Sequence, residues 1–142
     1  MLDIDDFKSI NDRFGHPVGD AVLQGIVAEI RSEVRNDMDL LARYGGDEFA
    51  LVLPETPLTE AIIVAERVRR RVDERLFRMP DSHQVLRTTV SIGLATYPDD
   101  SGDKKELVEK ADAALYRAKH AGKNAVVSTS EAGPGQLPLL PQ

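Results

Sequence analysis

The sequence predicts an α/β (α+β) domain with a mixed, largely antiparallel central sheet flanked by helices and a hairpin near the middle of the chain. Two observations indicate this fold. Strand-like and helix-like segments alternate along the chain, and each helix-like segment carries one apolar stripe that a sheet can cover. The 142 residues, of which 42% are apolar, suffice for one domain with its own core.

The first half of the chain contains a strand, a helix and the hairpin. Residues 1–4 form the end of a strand, and residues 5–19 are polar and rich in turn-forming residues. Over residues 20–35, apolar side chains recur every three or four positions, which predicts a helix. The hairpin follows at about 40–53, where two strand-like runs flank a pair of glycines.

The third quarter of the chain adds a helix and a strand. Thr59 is a candidate N-cap for a second amphipathic helix, which ends near Leu76. Asp81 and Ser82 indicate a turn. Residues 90–94 then alternate between apolar and small side chains, as a half-buried strand does.

The last quarter contains a helix, a short strand and a tail. A third helix over 107–118 is ended by Gly122, and a strand is predicted over 124–127. Residues 128–142 are rich in Gly, Pro, Ser and Gln and contain few core formers. We expect this tail to be disordered because it can bury too little apolar surface.

The composition excludes several classes of protein. A formal net charge of −6 argues against long nucleic acids as partners, since surfaces that bind them are usually basic. The chain has no cysteine, so it can form neither a disulfide framework nor a thiolate zinc site nor a thiol nucleophile. Its longest apolar stretches are far shorter than the roughly 20 residues that cross a bilayer. We therefore expect no membrane segment and a cytoplasmic location.

Acidic residues from two separate segments predict a metal-dependent nucleotide site. Asp3 and Asp5 are two positions apart at a strand end, where they can share one face. Asp47 and Glu48 follow the glycines of the hairpin. Magnesium usually takes one or two carboxylates and completes its octahedron with phosphate oxygens and water. Asp3 alone could equally be a turn former, but Asp3 together with Asp47 would meet the needs of the ion.

The hairpin tip suits the approach of phosphate. The segment before Gly45 and the run over 49–53 are strand-like, so Gly45 and Gly46 fall at the tip, where positive φ is cheap for glycine. Glycine also lets a phosphate come close to the backbone. The interpretation as a nucleotide site therefore includes both glycines.

Five segments, in order and spacing, resemble the GGDEF family of bacterial diguanylate cyclases. They are DIDDFKSIND at 3–12, FGHPVGD at 14–20, RYGGDEF at 43–49, TVSIG at 89–93 and ADAALYRAKHAGKN at 111–124. A glycine hairpin alone would be weak evidence, whereas the five segments together are very specific.

The resemblance implies a fold like that of nucleotide cyclases and polymerase palm domains. It also implies an activity in which two GTP molecules condense to cyclic di-GMP with loss of two pyrophosphates. Each protomer would hold one GTP, so a homodimer would be required. The domain would span residues 1–127 without its usual N-terminal helix, a tail would follow at 128–142, and a sensory or regulatory domain would be missing from this chain.

Carried over by position, the resemblance assigns the metal ligands and the catalytic residues. Asp3, the Ile4 carbonyl and Asp47 would hold two Mg²⁺ or Mn²⁺ ions per half-site. Glu48 would be a further metal ligand or the base for the 3′-hydroxyl, so Asp47 and Glu48 are the candidate catalytic residues. An in-line phosphoryl displacement assisted by metal ions is consistent with this donor set.

The resemblance also assigns the residues that read the guanine. Asn11 and Asp20 match this pair, and a carboxylate and an amide suit the donors and acceptors of guanine. The alternative is that both residues cap helices or turns. Phe7 is placed at the substrate site as well, more readily as core or pocket wall than in chemistry.

The resemblance implies that other matched positions would face the phosphates. Lys119 and Lys123 are four residues apart, so they can lie on one face near a helix end. Lys123 stands where the family more often has arginine. The lysine keeps the positive charge but lacks the bidentate fork of the guanidinium group. Lys8 matches a further phosphate contact, and Gly45 and Gly46 complete the set.

The family's inhibitory product site is altered in this sequence. Its Arg-x-x-Asp motif reads here with Asn36 in place of the arginine and Asp39 as the aspartate, while Arg35 is one residue out of register. A shift of one residue near a helix end turns a side chain by about 100°. A second arginine of that site falls on Ile63, although Arg67 matches another. We therefore expect weak or absent product inhibition.

Two alternatives to the cyclase remain open from the sequence. In one, the domain is a catalytically incomplete regulatory module that binds GTP and signals to a partner. In the other, it is another nucleotide cyclase or a palm-type polymerase, since carboxylates on a hairpin suit any of these. The pair Asn11 and Asp20 favours guanine, and thermal protection by GTP compared with ATP would discriminate.

Overall fold

The computed structural model describes residues 1–79 and 82–130, in which helices pack on both faces of a five-stranded sheet. The strands are β1 (Leu2–Ile4), β2 (Leu40–Arg43), β3 (Glu48–Val52), β4 (Phe77–Arg78), β5 (Val85–Leu86), β6 (Val90–Leu94) and β7 (Val126–Ser128). The helices are α1 (Phe7–Phe14), α2 (His16–Glu33), α3 (Leu58–Glu74) and α4 (Lys104–His120).

The sheet has the order β2-β3-β1-β6-β7, with β1 in the centre. Strand β1 is antiparallel to both of its neighbours, β2 and β3 form the predicted hairpin, and β6 pairs with β7 in parallel. The predicted mixed, largely antiparallel sheet is therefore confirmed. Strands β4 and β5 form a separate two-stranded sheet that the sequence did not predict.

Alternation along β6 directs different residues to the two faces. Val90 and Ile92 belong to a buried cluster that includes Ile26 of α2 and Val68 of α3. Gly93 faces the other way and lies directly under α4. The sheet is thus enclosed by α2 and α3 on one side and by α4 on the other.

The polar passage over 5–19 differs from its prediction, because it contains α1 and the start of α2. Phe7 and Ile10, buried on one face and joined by the partly buried Phe14, drive α1 into the core although its remaining positions are polar. Gly15, with φ 89°, separates the two helices. Helix α2 begins at His16 because Pro17 is well tolerated in a first turn.

Three boundaries also differ. Thr59 is not the N-cap of α3, because this helix begins at Leu58 without a side-chain cap. The last strand ends at Ser128, which is 1% exposed, so the ordered chain continues into the range predicted as tail. Residues 131–142 of that tail, and Asp81 of the predicted turn, lie outside the described residues.

Within the described ranges, no helix has both the length and the apolar character needed to cross a membrane.

Candidate active site

The central strand β1 presents one carboxylate to the face of the sheet that carries α4. Leu2 and Ile4 are buried in the core, so Asp3 between them points to the opposite face. Asp3 is paired with Glu48 across the antiparallel ladder of β1 and β3. Such facing positions place Cβ atoms within about 5.5 Å of each other. Two carboxylates from distant parts of the chain therefore meet at this end of the sheet.

Lys119, from the last turn of α4, pairs with Asp3. Its Nζ lies 2.7 Å from Asp3 Oδ1, and the Asp3 side chain is only 11% exposed. Burial raises the pKa of Asp3, the hydrogen bond from Lys119 lowers it, and the charge of Asp47 raises it again. One ammonium thus offsets only part of the negative charge collected here.

Asp112, also on α4, lies beside Glu48. Burial raises the pKa of Glu48, and the hydrogen bond and charge of Asp112 raise it further. Asp112 stands in one of the segments that carry the family resemblance, but nothing in its local pattern indicated this contact. Only the packing of α4 against the sheet brings Asp112 to Glu48.

Asp47 is joined to β1 through the backbone. The Ile4 N–H donates to the Asp47 carbonyl at 3.1 Å, and Asp47 is half-buried. In residues 1–79 and 82–130, no group of three or more carboxylates or imidazoles is arranged to hold a metal ion. Magnesium needs only one or two carboxylates when phosphate and water supply the other ligands. Asp3, Asp47 and Glu48 therefore fit a cation that arrives with a triphosphate rather than one held in a protein cage.

The turn of the hairpin is shaped by an arginine rather than by glycine torsions. The predicted positive φ of Gly45 and Gly46 is wrong, because positive φ among the described glycines occurs at Gly15 and Gly122. Arg43 Nε donates to the carbonyl of Gly46 at 3.0 Å and to that of Gly45 at 3.2 Å. No atom lies within 4 Å of where a Cβ of Gly46 would stand. The backbone of the turn is thus open to a ligand.

Asn11 and Asp20 come from different helices, and the packing of α1 on α2 brings them together. A Cβ on Gly19 would lie 1.8 Å from Asn11 Oδ1, so the Asn11 amide rests directly on the backbone next to Asp20. Asn11 Oδ1 is buried and has no hydrogen-bond partner in the part of the chain that the structure describes. Asp20 is exposed and lies inside α2, whose N-cap is Gly15. N-capping therefore does not account for Asp20.

Lys123, Lys8 and Phe7 surround the start of α1. Lys123 Nζ lies 2.6 Å from Oδ1 of Asp6, the N-cap residue of α1. Lys8 is exposed in the first turn of this helix. Phe7 is 8% exposed and belongs to the core cluster. The two lysines are thus near the end of β1, whereas the ring of Phe7 packs in the core and would lie 3.3 Å from a Cβ on Gly19.

The residues at the expected product site make contacts with one another and with other parts of the chain. Arg35 reaches Asp39 despite its shifted register, with Nη2 2.6 Å from Oδ1, and its hydrogen bond lowers the pKa of Asp39. Asn36 is exposed, and its side-chain amide donates to the Arg31 carbonyl at 3.4 Å. Arg67 pairs with Glu33 at 2.8 Å. The groups that could bind a product there already have partners.

Comparison with known proteins agrees with the family resemblance of the sequence. Residues 1–125 match the family model described as diguanylate cyclase, GGDEF domain. The chain is 41% identical over 127 residues to response regulator PleD of Caulobacter vibrioides, covering 89% of this chain and 28% of the relative. It is 45% identical over 126 residues to diguanylate cyclase A of Treponema denticola, covering 89% and 33%. The chain thus spans a third or less of these relatives.

Solved structures resemble the fold closely. The GGDEF domain of YfiN from Pseudomonas aeruginosa has a TM-score of 0.83 at 37% identity, over 89% of this chain and 78% of that one. The GGDEF domain of DgcB from Caulobacter crescentus, in complex with c-di-GMP, has a TM-score of 0.83 at 35% identity, over 92% and 73%.

Proposed function

This chain belongs to the GGDEF family of diguanylate cyclase domains, and we propose that it condenses two GTP molecules into cyclic di-GMP with release of two pyrophosphates. The observation that carries the proposal is the pairing of Asp3 with Glu48 beside an open glycine turn, where Lys119 is the counter-charge of Asp3. A polyanionic substrate escorted by divalent cations would complete the charge balance of such a site.

Asn11 and Asp20 would read the guanine. The carboxylate of Asp20 is exposed and can accept hydrogen bonds from guanine N1–H and N2–H₂. The buried oxygen of Asn11 has no hydrogen-bond partner among residues 1–79 and 82–130, as expected of an amide that binds a ligand. The packing of Asn11 on Gly19 fixes the spacing between the two groups.

The phosphates would lie between the hairpin turn and the end of α4. Lys119 and Lys123 would exchange their present partners for phosphate oxygens, and Lys8 would add a third positive charge. Gly45 and Gly46 would allow close approach of the triphosphate to the turn. Phe7 would support this pocket from the core side.

Two Mg²⁺ or Mn²⁺ ions per half-site, when bound, would neutralise the α-phosphate and the leaving pyrophosphate. Asp3, the Ile4 carbonyl, Asp47 and Glu48 would hold them. Glu48 would also take the proton of the 3′-hydroxyl. The 3′-oxygen would then bond to the α-phosphorus of the GTP on the other protomer, and the bond to pyrophosphate would break. The second half-site therefore has to come from a homodimer.

The wider setting is proposed on the same basis. Residues 1–127 would form the catalytic domain, a sensory or regulatory domain would lie outside this chain, and the reaction would take place in the cytoplasm. The family match over residues 1–125 supports this division.

The direct test is to incubate the purified chain with GTP and Mg²⁺ and to separate the products by chromatography. Cyclic di-GMP and pyrophosphate are expected, with no product from ATP. A folded chain that binds GTP without forming product would favour the regulatory module instead. A chain that is protected from thermal unfolding by ATP as well as by GTP would favour another nucleotide enzyme.

Substitution of Gly19 by alanine is expected to impair GTP binding without unfolding the protein. The added methyl group would collide with Asn11 Oδ1, and this flexible side chain can turn away, whereas the helix gains a better helix former. Loss of one neutral hydrogen bond corresponds to an affinity about tenfold weaker. Isothermal titration with a non-hydrolysable GTP analogue would measure it. Asn11→Ala should show the same loss, and a Gly19→Ala protein with unchanged affinity would contradict the role given to Asn11.

Cyclic di-GMP is expected to inhibit this protein weakly. Arg35 and Asp39 are paired with each other, and position 36 is occupied by Asn36, which cannot form the bidentate hydrogen bonds of an arginine with the ligand. A titration with cyclic di-GMP should show no saturation at micromolar concentrations, and Arg35→Ala should leave the residual binding unchanged. Tight binding that disappears in Arg35→Ala would show this expectation to be wrong.

A further inference from the structure

A left-handed turn follows α4 and contains one of the proposed phosphate-binding lysines. Gly122, Lys123 and Asn124 have φ of 114°, 64° and 46°. Glycine adopts such torsions freely and asparagine tolerates them, but a lysine there carries a steric cost. Residues kept in such conformations need surrounding contacts that hold them.

The contacts that hold this turn converge on Asn124. Its backbone N–H donates to Asp5 Oδ2 at 3.0 Å. Its side-chain oxygen accepts from Arg69 Nη1 at 2.8 Å, and its amide nitrogen donates to Asp73 at 3.2 Å. The turn is thus attached to the residue that follows β1 and to α3.

Asp5 is a buried carboxylate whose oxygens are occupied by the chain itself. It is 4% exposed, and besides Asn124 it accepts from Thr89 Oγ1 at 2.6 Å and from Ser91 Oγ at 2.8 Å. A buried carboxylate with three donors is well stabilised and has little capacity left for a metal ion. Asp5 therefore differs in role from Asp3, although the two stand two positions apart.

The residues adjacent to Asn124 and Asp5 in the chain also contact each other. Lys123, before Asn124, reaches Asp6, which follows Asp5, with Nζ 2.6 Å from Oδ1. Asp6 is also left-handed, with φ 54°. The bond from Asn124 to Asp5 thus places the backbone of Lys123 beside the start of α1.

We propose that Asp5 is a positioning residue, which accepts the Asn124 N–H, holds the left-handed turn over 122–124 and keeps Lys123 directed at the triphosphate. The inference rests on the proposed function, since it assigns a cause to the position of a phosphate-binding residue. Asp5 itself touches neither substrate nor metal in this assignment.

The test is a double-mutant cycle on GTP affinity in the presence of Mg²⁺. Asp5→Ala and Lys123→Met should each raise the Kd for GTP about tenfold, and the double variant should bind no more weakly than Lys123→Met alone. Asp5→Asn should retain most of the affinity, because its oxygen can still accept the Asn124 N–H while Ser91 accepts from its amide. Independent, multiplying losses in the double variant would overturn the proposal.

Two controls separate positioning from general damage. Ser91→Ala removes a different donor to Asp5 and should leave GTP affinity unchanged, and an equal loss in this variant would overturn the proposal. If Asp5→Ala does not fold, Asn124→Gly and Asn124→Ala replace it. Glycine keeps the left-handed torsion and should retain affinity, whereas alanine should lose it. Equal affinity of these two would also overturn the proposal.

The same cycle with inorganic pyrophosphate separates this inference from the proposed function. A wild-type chain that binds pyrophosphate but not GTP would overturn the proposed cyclase, while the coupling between Asp5 and Lys123 would still appear with pyrophosphate. Binding of neither ligand by the wild type would overturn both.

Discussion

Replacement of Glu48 by glutamine is expected to abolish formation of cyclic di-GMP while the protein stays folded and still binds GTP. Glutamine keeps the shape of the side chain but can neither take the proton of the 3′-hydroxyl nor contribute a charge to the cation site. A positioned general base contributes about 10²–10⁴ in rate, so a loss of at least about 10³ is expected when a metal ligand is weakened as well. Chromatography of the reaction products measures this rate.

Although Glu48→Gln is expected to lose activity, its stability is expected to stay the same or to rise. Burial and the neighbouring charges of Asp112 and Asp3 raise the pKa of Glu48, so the ionised group is disfavoured in the folded state. A neutral side chain removes that repulsion, and the free energy of unfolding of Glu48→Gln should equal or exceed that of the wild type. Urea denaturation at neutral pH would measure it.

Glu109→Gln is the matched control for Glu48→Gln. Glu109 lies on the outside of α4, with its side chain 65% exposed, and the same chemical change there should leave the rate unaltered. Full product formation by Glu48→Gln would remove Glu48 from the catalytic step. Loss of GTP binding in the same variant would instead indicate a role in substrate binding.

Gly93→Ala is expected to have the largest effect on stability. Its Cβ would stand 2.2 Å from the Leu115 nitrogen and 2.3 Å from the Ala111 carbonyl oxygen. These are backbone atoms of α4, so no side-chain rotation can relieve the clash, and the helix would have to move away from β6. Overpacking of a core costs about 1–3 kcal/mol and occasionally more, and we expect about 3 kcal/mol or more here. That is a large part of the stability of a small domain.

Gly102→Ala is the control for Gly93→Ala, because no atom lies within 4 Å of its Cβ position. Urea denaturation should show a lower midpoint for Gly93→Ala and little change for Gly102→Ala. Any Gly93→Ala protein that still folds should bind GTP weakly, since α4 carries Lys119. A Gly93→Ala protein with the stability of the wild type would mean that α4 packs less closely on β6.

Patterns between near neighbours predicted much of the fold. Alternation over residues 90–94 indicated the strand β6, and apolar spacing over 20–35 indicated most of α2. Helix α1 was missed because only Phe7 and Ile10 are buried among polar residues that favour turns. The hairpin of β4 and β5 was missed because strands of two residues carry no readable alternation.

The sequence predicted which residues belong to the candidate site, but it did not predict which of them are in contact. The motifs named Asp3, Glu48 and Lys119, and the structure adds that the first two face each other and that the third pairs with Asp3. The motif around Asp112 gave no sign of its contact with Glu48. Gly45 and Gly46 were correctly placed at the hairpin turn, but the positive φ expected of them is not observed.

By itself, the sequence determined the family, the fold class and the identity of the residues at the candidate site, because local periodicity and motif spacing are properties of the chain. Only the tertiary structure decided which of these residues meet. Asp5 and Asn124 are hydrogen-bonded although they lie 119 positions apart. Their contact depends on the packing of β1, α3 and α4 against β6, and a spacing along the chain contains no measure of that packing.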